Sequence, residues 1–400
     1  MPPPESLQTA PGWKRLDGVD LLRGLAIFFV LMNHVNIRLL IAKVPYTAKI
    51  PALLVPSLVW NGQFGVQIFF AVSGFLITST TLRRWGSLSS VNVRDFYRLR
   101  FARIAPLFIL VLLVLSILHA AQFKDFIVKP KTGGLGRALL AALTFHINVL
   151  EANRGYLPGS WDVMWSLSVE EMFYLFFPVV SRLFGSGKLF IALLLSLIFL
   201  GPFGRTVFTH GNEIWSEKSY LGSMDAIALG CLTALIAFRT CFSLPVLRIL
   251  AASGIAILTF VLGVSNRVYS TVIGRSGLEM TILAVGTCMV IVAAAQTQWK
   301  SPRILGPLLS LGRNSYEVYL LHMFVVFTLF NLFVNMGKPM AAVPALFLMV
   351  TLFSGAFGAV AALFYSEPMN RLLRKRSSQS DLGSVVEDRR PVLRATNSSV

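Results

Sequence analysis

The amino-acid sequence predicts an all-α membrane protein, a polytopic transmembrane bundle of about ten helices. Three observations carry this: 55% of the 400 residues are hydrophobic, mean hydropathy is +0.69, and long apolar stretches recur from residue 21 to residue 365 with short loops between them. A water-facing surface needs more polar atoms than this composition supplies. A hydrocarbon core of about 30 Å takes roughly 20 apolar residues per helix, which is the length of the recurring stretches.

In chain order, the stretches cover residues 21–40, 62–82, 103–121, 163–183, 188–203, 220–238, 246–264, 278–296, 316–336 and 341–365. The first begins at Leu21 with no shorter apolar segment and cleavage site before it, so it is read as a retained helix. Residues 136–150 form an eleventh apolar stretch, but it is short and carries His146 and Asn148. Loop charge arbitrates, because Lys and Arg collect in short cytoplasmic loops. If residues 136–150 do not span, one set of loops holds Arg83, Arg84, Arg94, Arg98, Arg100, Arg103, Arg182, Lys188, Arg239, Arg248, Lys300, Arg303 and Arg313. Every short loop of that set is then basic. The expected arrangement is a cytoplasmic segment 1–20, a membrane domain 21–370 and a basic, disordered cytoplasmic tail 371–400. Both termini lie in the cytoplasm, with residues 136–150 interfacial or re-entrant on the outside.

The net charge of +18 reads as membrane topology. No basic helix interleaved with aromatics occurs in a soluble segment, so nucleic acid is not an expected partner. Cys231, Cys241 and Cys288 lie in or beside apolar segments without metal-ligand spacing, so neither a disulfide framework nor a metal site is expected.

Ionisable side chains inside membrane helices are costly and mark candidate sites. In the first helix, Arg23 and His34 are eleven residues apart. That is three turns plus roughly 20°, so they share a face about 16 Å apart along the axis. The plainer alternative has Arg23 snorkelling and His34 bonded to a neighbouring helix. Trp165-Ser166-Leu167-Ser168-Val169-Glu170-Glu171 opens a helix running inwards, with Ser166 and Glu170 on one face. His34 lies in the outer half of its helix, so Glu170 is expected to meet it and raise its basicity towards a hydroxyl; the alternatives are a structural ion pair or a carboxylate favouring the helix dipole. The segment from Arg94 to Arg103 offers guanidinium forks that suit phosphate oxygens; the plainer alternative, and by itself the commoner one, is a topology signal with lipid headgroup contact. In Phe69 to Leu76, Gly74 suits close helix packing and Ser73 is a candidate lining hydroxyl. Asp225 and His322 are further intramembrane polar groups.

Taken in order, these strings resemble acyltransferase family 3, membrane-bound O-acyltransferases that include bacterial polysaccharide O-acetyltransferases. The motifs that carry the likeness are Leu16 to Ala26 followed by His34, Phe70 to Leu76, Arg100-Phe101-Ala102-Arg103-Ile104-Ala105-Pro106, Trp165 to Pro178, and Ser315 to His322. The likeness covers roughly residues 15 to 370 and implies ten membrane helices. It implies transfer of an acyl group, acetyl first among them, from acyl-CoA to a hydroxyl of a carbohydrate or similar acceptor. It assigns catalysis to His34 with Arg23 and Glu170, with Glu171 the lesser candidate, and donor contacts to Arg100 and Arg103. Ser73 and His322 are grouped with the donor contacts as candidate lining residues. No tightly bound cofactor is expected; acyl-CoA is a substrate. Membrane lipids are the other expected partners, in the inner membrane. A rival reading from another class is a proton-coupled transporter, since buried Arg, His, Glu and Asp also build proton relays.

Overall fold

The computed structural model describes residues 15–49, 54–185, 187–263 and 272–374. Among these residues helices are the only regular elements, and ten of them are long and apolar enough to cross a membrane. They are α1 (Asp17–Ile41), α2 (Gly62–Trp85), α3 (Val93–Ala120), α4 (Met164–Phe184), α5 (Lys188–Arg205), α6 (Tyr220–Arg239), α7 (Leu244–Gly263), α8 (Leu278–Thr297), α9 (Ser315–Asn335) and α10 (Val343–Ala361). The first helix starts four residues earlier than the hydropathy profile suggests, because Asp17 and Asp20 sit in its first turn where the helix dipole favours anions. The last continues past a π-helical turn at Ala362–Ser366 as far as Arg374, into the segment expected to be tail. Residues 375–400 lie outside the described residues.

Residues 136–150 do not form a spanning helix. Gly134–Leu143 is ten residues long, about 15 Å at 1.5 Å per residue and half of what a bilayer needs. The chain then turns at Phe145, whose φ is 55°, and starts a second short helix, Ile147–Arg154.

Successive spans alternate in direction, so one end of the bundle collects Arg83, Arg84, Arg182, Arg239 and Arg313, and is called the basic end. At the centre, α1 packs on α2, α8, α9 and the short helix Gly306–Arg313, while α2 packs on α6. The α2–α6 contact is a backbone-to-backbone approach. A Cβ on Gly74 would stand 1.9 Å from the Ile227 carbonyl oxygen, and one on Gly230 would stand 2.0 Å from that of Ala71. Small residues at this seam let dispersion act over the whole contact, which is the main attraction available between helices in lipid.

Candidate active site

A cavity of about 880 Å³ opens at the basic end, between α1, α2, α3, α4, α9 and the last turns that follow α10. Nine arginines and four carboxylates line it. Exposed Arg83, Arg84 and Arg371 stand at its mouth, and buried Phe70 and Ser166 at its floor. An excess of guanidinium over carboxylate in a partly desolvated cleft concentrates anions, phosphate above all.

The helices fix each cation differently. Arg23 projects from the second turn of α1 and lies 3.7 Å from Asp20, which also holds Arg15 at 2.8 Å and Arg313 at 3.6 Å. Asp20 is therefore the anchor of the cluster at this end, a role its place in the first turn of α1 did not announce. Arg100 is committed to the protein: it bonds Glu171 at 3.1 Å and stacks 3.8 Å over the Tyr174 ring. Arg103, one turn on, makes no ion pair or hydrogen bond among the described residues and faces the cavity. Of the two donor-contact candidates, Arg103 is the one with an uncommitted fork.

Glu170 also lines the cavity. Its partners are the Ser73 hydroxyl and the charges of Arg100 and Arg23, and Ser73 in turn bonds the Tyr174 hydroxyl. The expected meeting of Glu170 with His34 is therefore not formed. The reason is where the helix enters: the fourth span begins at Gly159, one short helical turn before α4 itself. Glu170 is then eleven residues in, about 16 Å from the end and near mid-depth. The carboxylate whose charge acts on His34 is that of Asp162, three residues from the entry.

Asp162 belongs to a buried cluster that sequence reasoning missed. Lys218 bonds it and also bonds Glu151 at 2.8 Å, and lies 4.6 Å from the Tyr156 ring. Burial, with Asp162 beside it, pushes the Glu151 carboxyl well above the usual carboxylate range. The signal was weak: Lys218 closes a loop helix and Glu151 sits in a segment read as interfacial.

His34 is half-buried and its nearer ring neighbour is His322, with centroids 5.0 Å apart. Neither lines the cavity, whose floor ends at Ser166, Tyr319 and Leu320. Tyr319 separates the two, with its ring 6.1 Å from Phe69 on one side and 5.8 Å from His322 on the other. Its hydroxyl donates to the Val163 carbonyl at 2.9 Å and accepts from Ser166 at 2.6 Å. Asp225 is not part of this site; wholly buried, it ties helices together on the other flank of α2.

Fold and site together define a many-spanning membrane protein with an anion-attracting cavity that stops one aromatic ring short of a histidine pair, His322 buried and His34 half-buried. Residues 16–360 match the family described as "Acyltransferase domain", and the chain belongs to that family. It is 27% identical over 329 residues to the peptidoglycan O-acetyltransferase OatA of Listeria monocytogenes, covering 77% of this chain and 49% of the relative. It is 24% identical over 381 residues to the O-acetyltransferase OatA of Staphylococcus aureus, covering 89% of this chain and 57% of the relative. The chain thus spans about half the length of the curated relatives it matches. No solved structure matches it.

Proposed function

We propose that this protein is a membrane O-acyltransferase that moves an acetyl group from acetyl-CoA to a hydroxyl of an extracytoplasmic polysaccharide. The observation that carries the reading is the arginine-lined cavity leading from the basic end towards His34. A CoA donor has phosphates at one end and a thioester at the other, and an arginine-lined mouth with a floor of Phe70, Ser166, Tyr319 and Leu320 suits that order. The basic end is assigned to the cytoplasm because short basic loops stay on that side. The names of the relatives point to O-acetylation and, in one case, to peptidoglycan as the acceptor class.

In this reading His34 removes the proton of the acceptor hydroxyl as its oxygen attacks the thioester carbonyl. The tetrahedral intermediate collapses, the C–S bond breaks, and the proton on His34 passes to the departing thiolate. The experiment is transfer of labelled acetyl from acetyl-CoA to soluble peptidoglycan fragments by the full chain in vesicles. No label in the acceptor fraction, with acetyl phosphate or another acyl donor supplying it instead, would remove CoA from the proposal.

Two further expectations follow. Arg103→Ala raises the apparent KM for acetyl-CoA more than Arg100→Ala does, because Arg100 is already bonded to Glu171. Lys at position 103 recovers part of the loss, since a point charge keeps the attraction and loses the fork. Equal, unchanged KM in both Ala variants would return these residues to a topological role. Second, reporters fused at Lys131 and Gly159 both read as external; a split result would invert the assignment of sides on at least one of them.

A further inference from the structure

The family likeness groups His322 with the donor contacts, yet the cavity floor ends at Tyr319 and Leu320, short of it. Its ring is wholly buried and its Nδ1 lies 2.7 Å from the Tyr319 carbonyl oxygen. A carbonyl oxygen only accepts, so Nδ1 carries the proton and donates it. The tautomer is thereby fixed, and Nε2 is left as a lone pair. That Nε2 is buried with no hydrogen-bond partner among the described residues. A buried acceptor in this condition costs free energy until something donates to it.

The neighbouring groups narrow the choice of donor. The Tyr319 hydroxyl already gives its proton to Val163. The ring of His34, with its centroid 5.0 Å away, remains. Two imidazoles joined by an N–H···N bond of about 2.9 Å have centroids roughly 5 Å apart, which is the separation of these two rings.

We propose that His322 is the positioning residue of His34: its Nε2 accepts the N–H of His34 and so presents the other ring nitrogen of His34 as the lone pair that takes the acceptor proton. The proposal rests on the reading of His34 as the base. The hydroxyl proton adds to the free nitrogen of His34 and later leaves from it to the thiolate, while the N–H shared with His322 stays in place. His322 neither gains nor loses a proton. A neutral acceptor does here what a carboxylate does in many general-base pairs, without a second buried charge to desolvate.

The test uses the full chain in vesicles with acetyl-CoA and soluble peptidoglycan fragments. His322→Phe keeps ring volume and removes the acceptor; His322→Gln keeps an oxygen that can accept. His322→Phe should lower kcat at least tenfold, an order of magnitude within the range of general-base effects, with the KM for acetyl-CoA held within about twofold, and His322→Gln should recover part of the loss. Should His322→Phe fail to fold, His322→Leu supplies a side chain without an acceptor. A second readout needs no turnover: labelling of His34 by diethyl pyrocarbonate, followed by mass spectrometry, should be slower in His322→Phe than in the native chain. A raised donor KM with intact kcat would make His322 a donor contact and overturn the proposal. So would native kcat and labelling in a folded His322→Phe protein. If the native chain shows no transfer but the labelling order holds, the functional reading falls and the histidine pairing stands.

Discussion

His34→Ala is expected to abolish acyl transfer while the protein still inserts and still binds acetyl-CoA. The cavity that would take the donor is lined by residues of α1 only as far as Arg23, about 16 Å along the helix from His34, so removing the imidazole leaves the arginine cluster untouched. What is lost is the group that takes the hydroxyl proton, and general-base losses run to roughly 10²- to 10⁴-fold. Glu170→Gln should behave differently. Glu170 faces Ser73, Arg100 and Arg23 rather than His34, so its removal leaves two cations less compensated and changes donor KM along with kcat. Labelled acetyl transfer and acetyl-CoA binding measured on the same purified protein separate the two variants. A folded His34→Ala protein that transfers at near-native rate would end His34's role as base, and a Glu170→Gln protein that loses kcat alone would restore the expected His34–Glu170 pairing.

The ten spans were legible because one rule, about 20 apolar residues per crossing, acts on each segment separately. Arg23 and His34 on one face were legible for the same reason: the helical period relates residues within one element. What failed was depth across elements. Hydropathy starts the fourth span at residue 163 and so puts Glu170 at the outer end, whereas the span enters at Gly159 after Pro158, and Asp162 occupies that level instead. A Pro-Gly pair followed by an acid in the first turn is the signal that would have moved the boundary. Lys218 with Glu151, and Asp20 with Arg313, were beyond reach: each joins residues at least 67 apart, and no periodicity within a helix relates them. Asp225 was rightly picked out as costly, but cost alone does not say whether a buried charge serves chemistry or packing.

Asp225→Ala is expected to cost the protein its fold rather than its chemistry. Asp225 Oδ1 accepts from Arg205 at 3.1 Å and from Gln67 at 3.0 Å; its Oδ2 accepts from Arg205 at 2.9 Å and from Thr281 at 2.6 Å. Arg205 adds bonds to the carbonyls of Gly277, at 2.9 Å, and Gly222. Helices α2, α5, α6 and α8 are thus tied at one buried point, with the guanidinium satisfied on both edges. Taking away the carboxylate leaves that cation buried and uncompensated, a change that costs about 3–5 kcal/mol in comparable buried pairs. Removing both charges is a different matter, since an apolar pair of similar volume needs no compensation. Arg205→Met with Asp225→Leu should therefore recover most of the thermal midpoint that Asp225→Ala loses, as followed by fluorescence-detected size exclusion on heated samples. Because the cluster stands apart from the cavity and from His34, the double variant should also transfer acetyl at a rate within a few fold of the native chain. A native midpoint in Asp225→Ala, or a double variant no more stable than the single ones, would show that this network does not hold the four helices together.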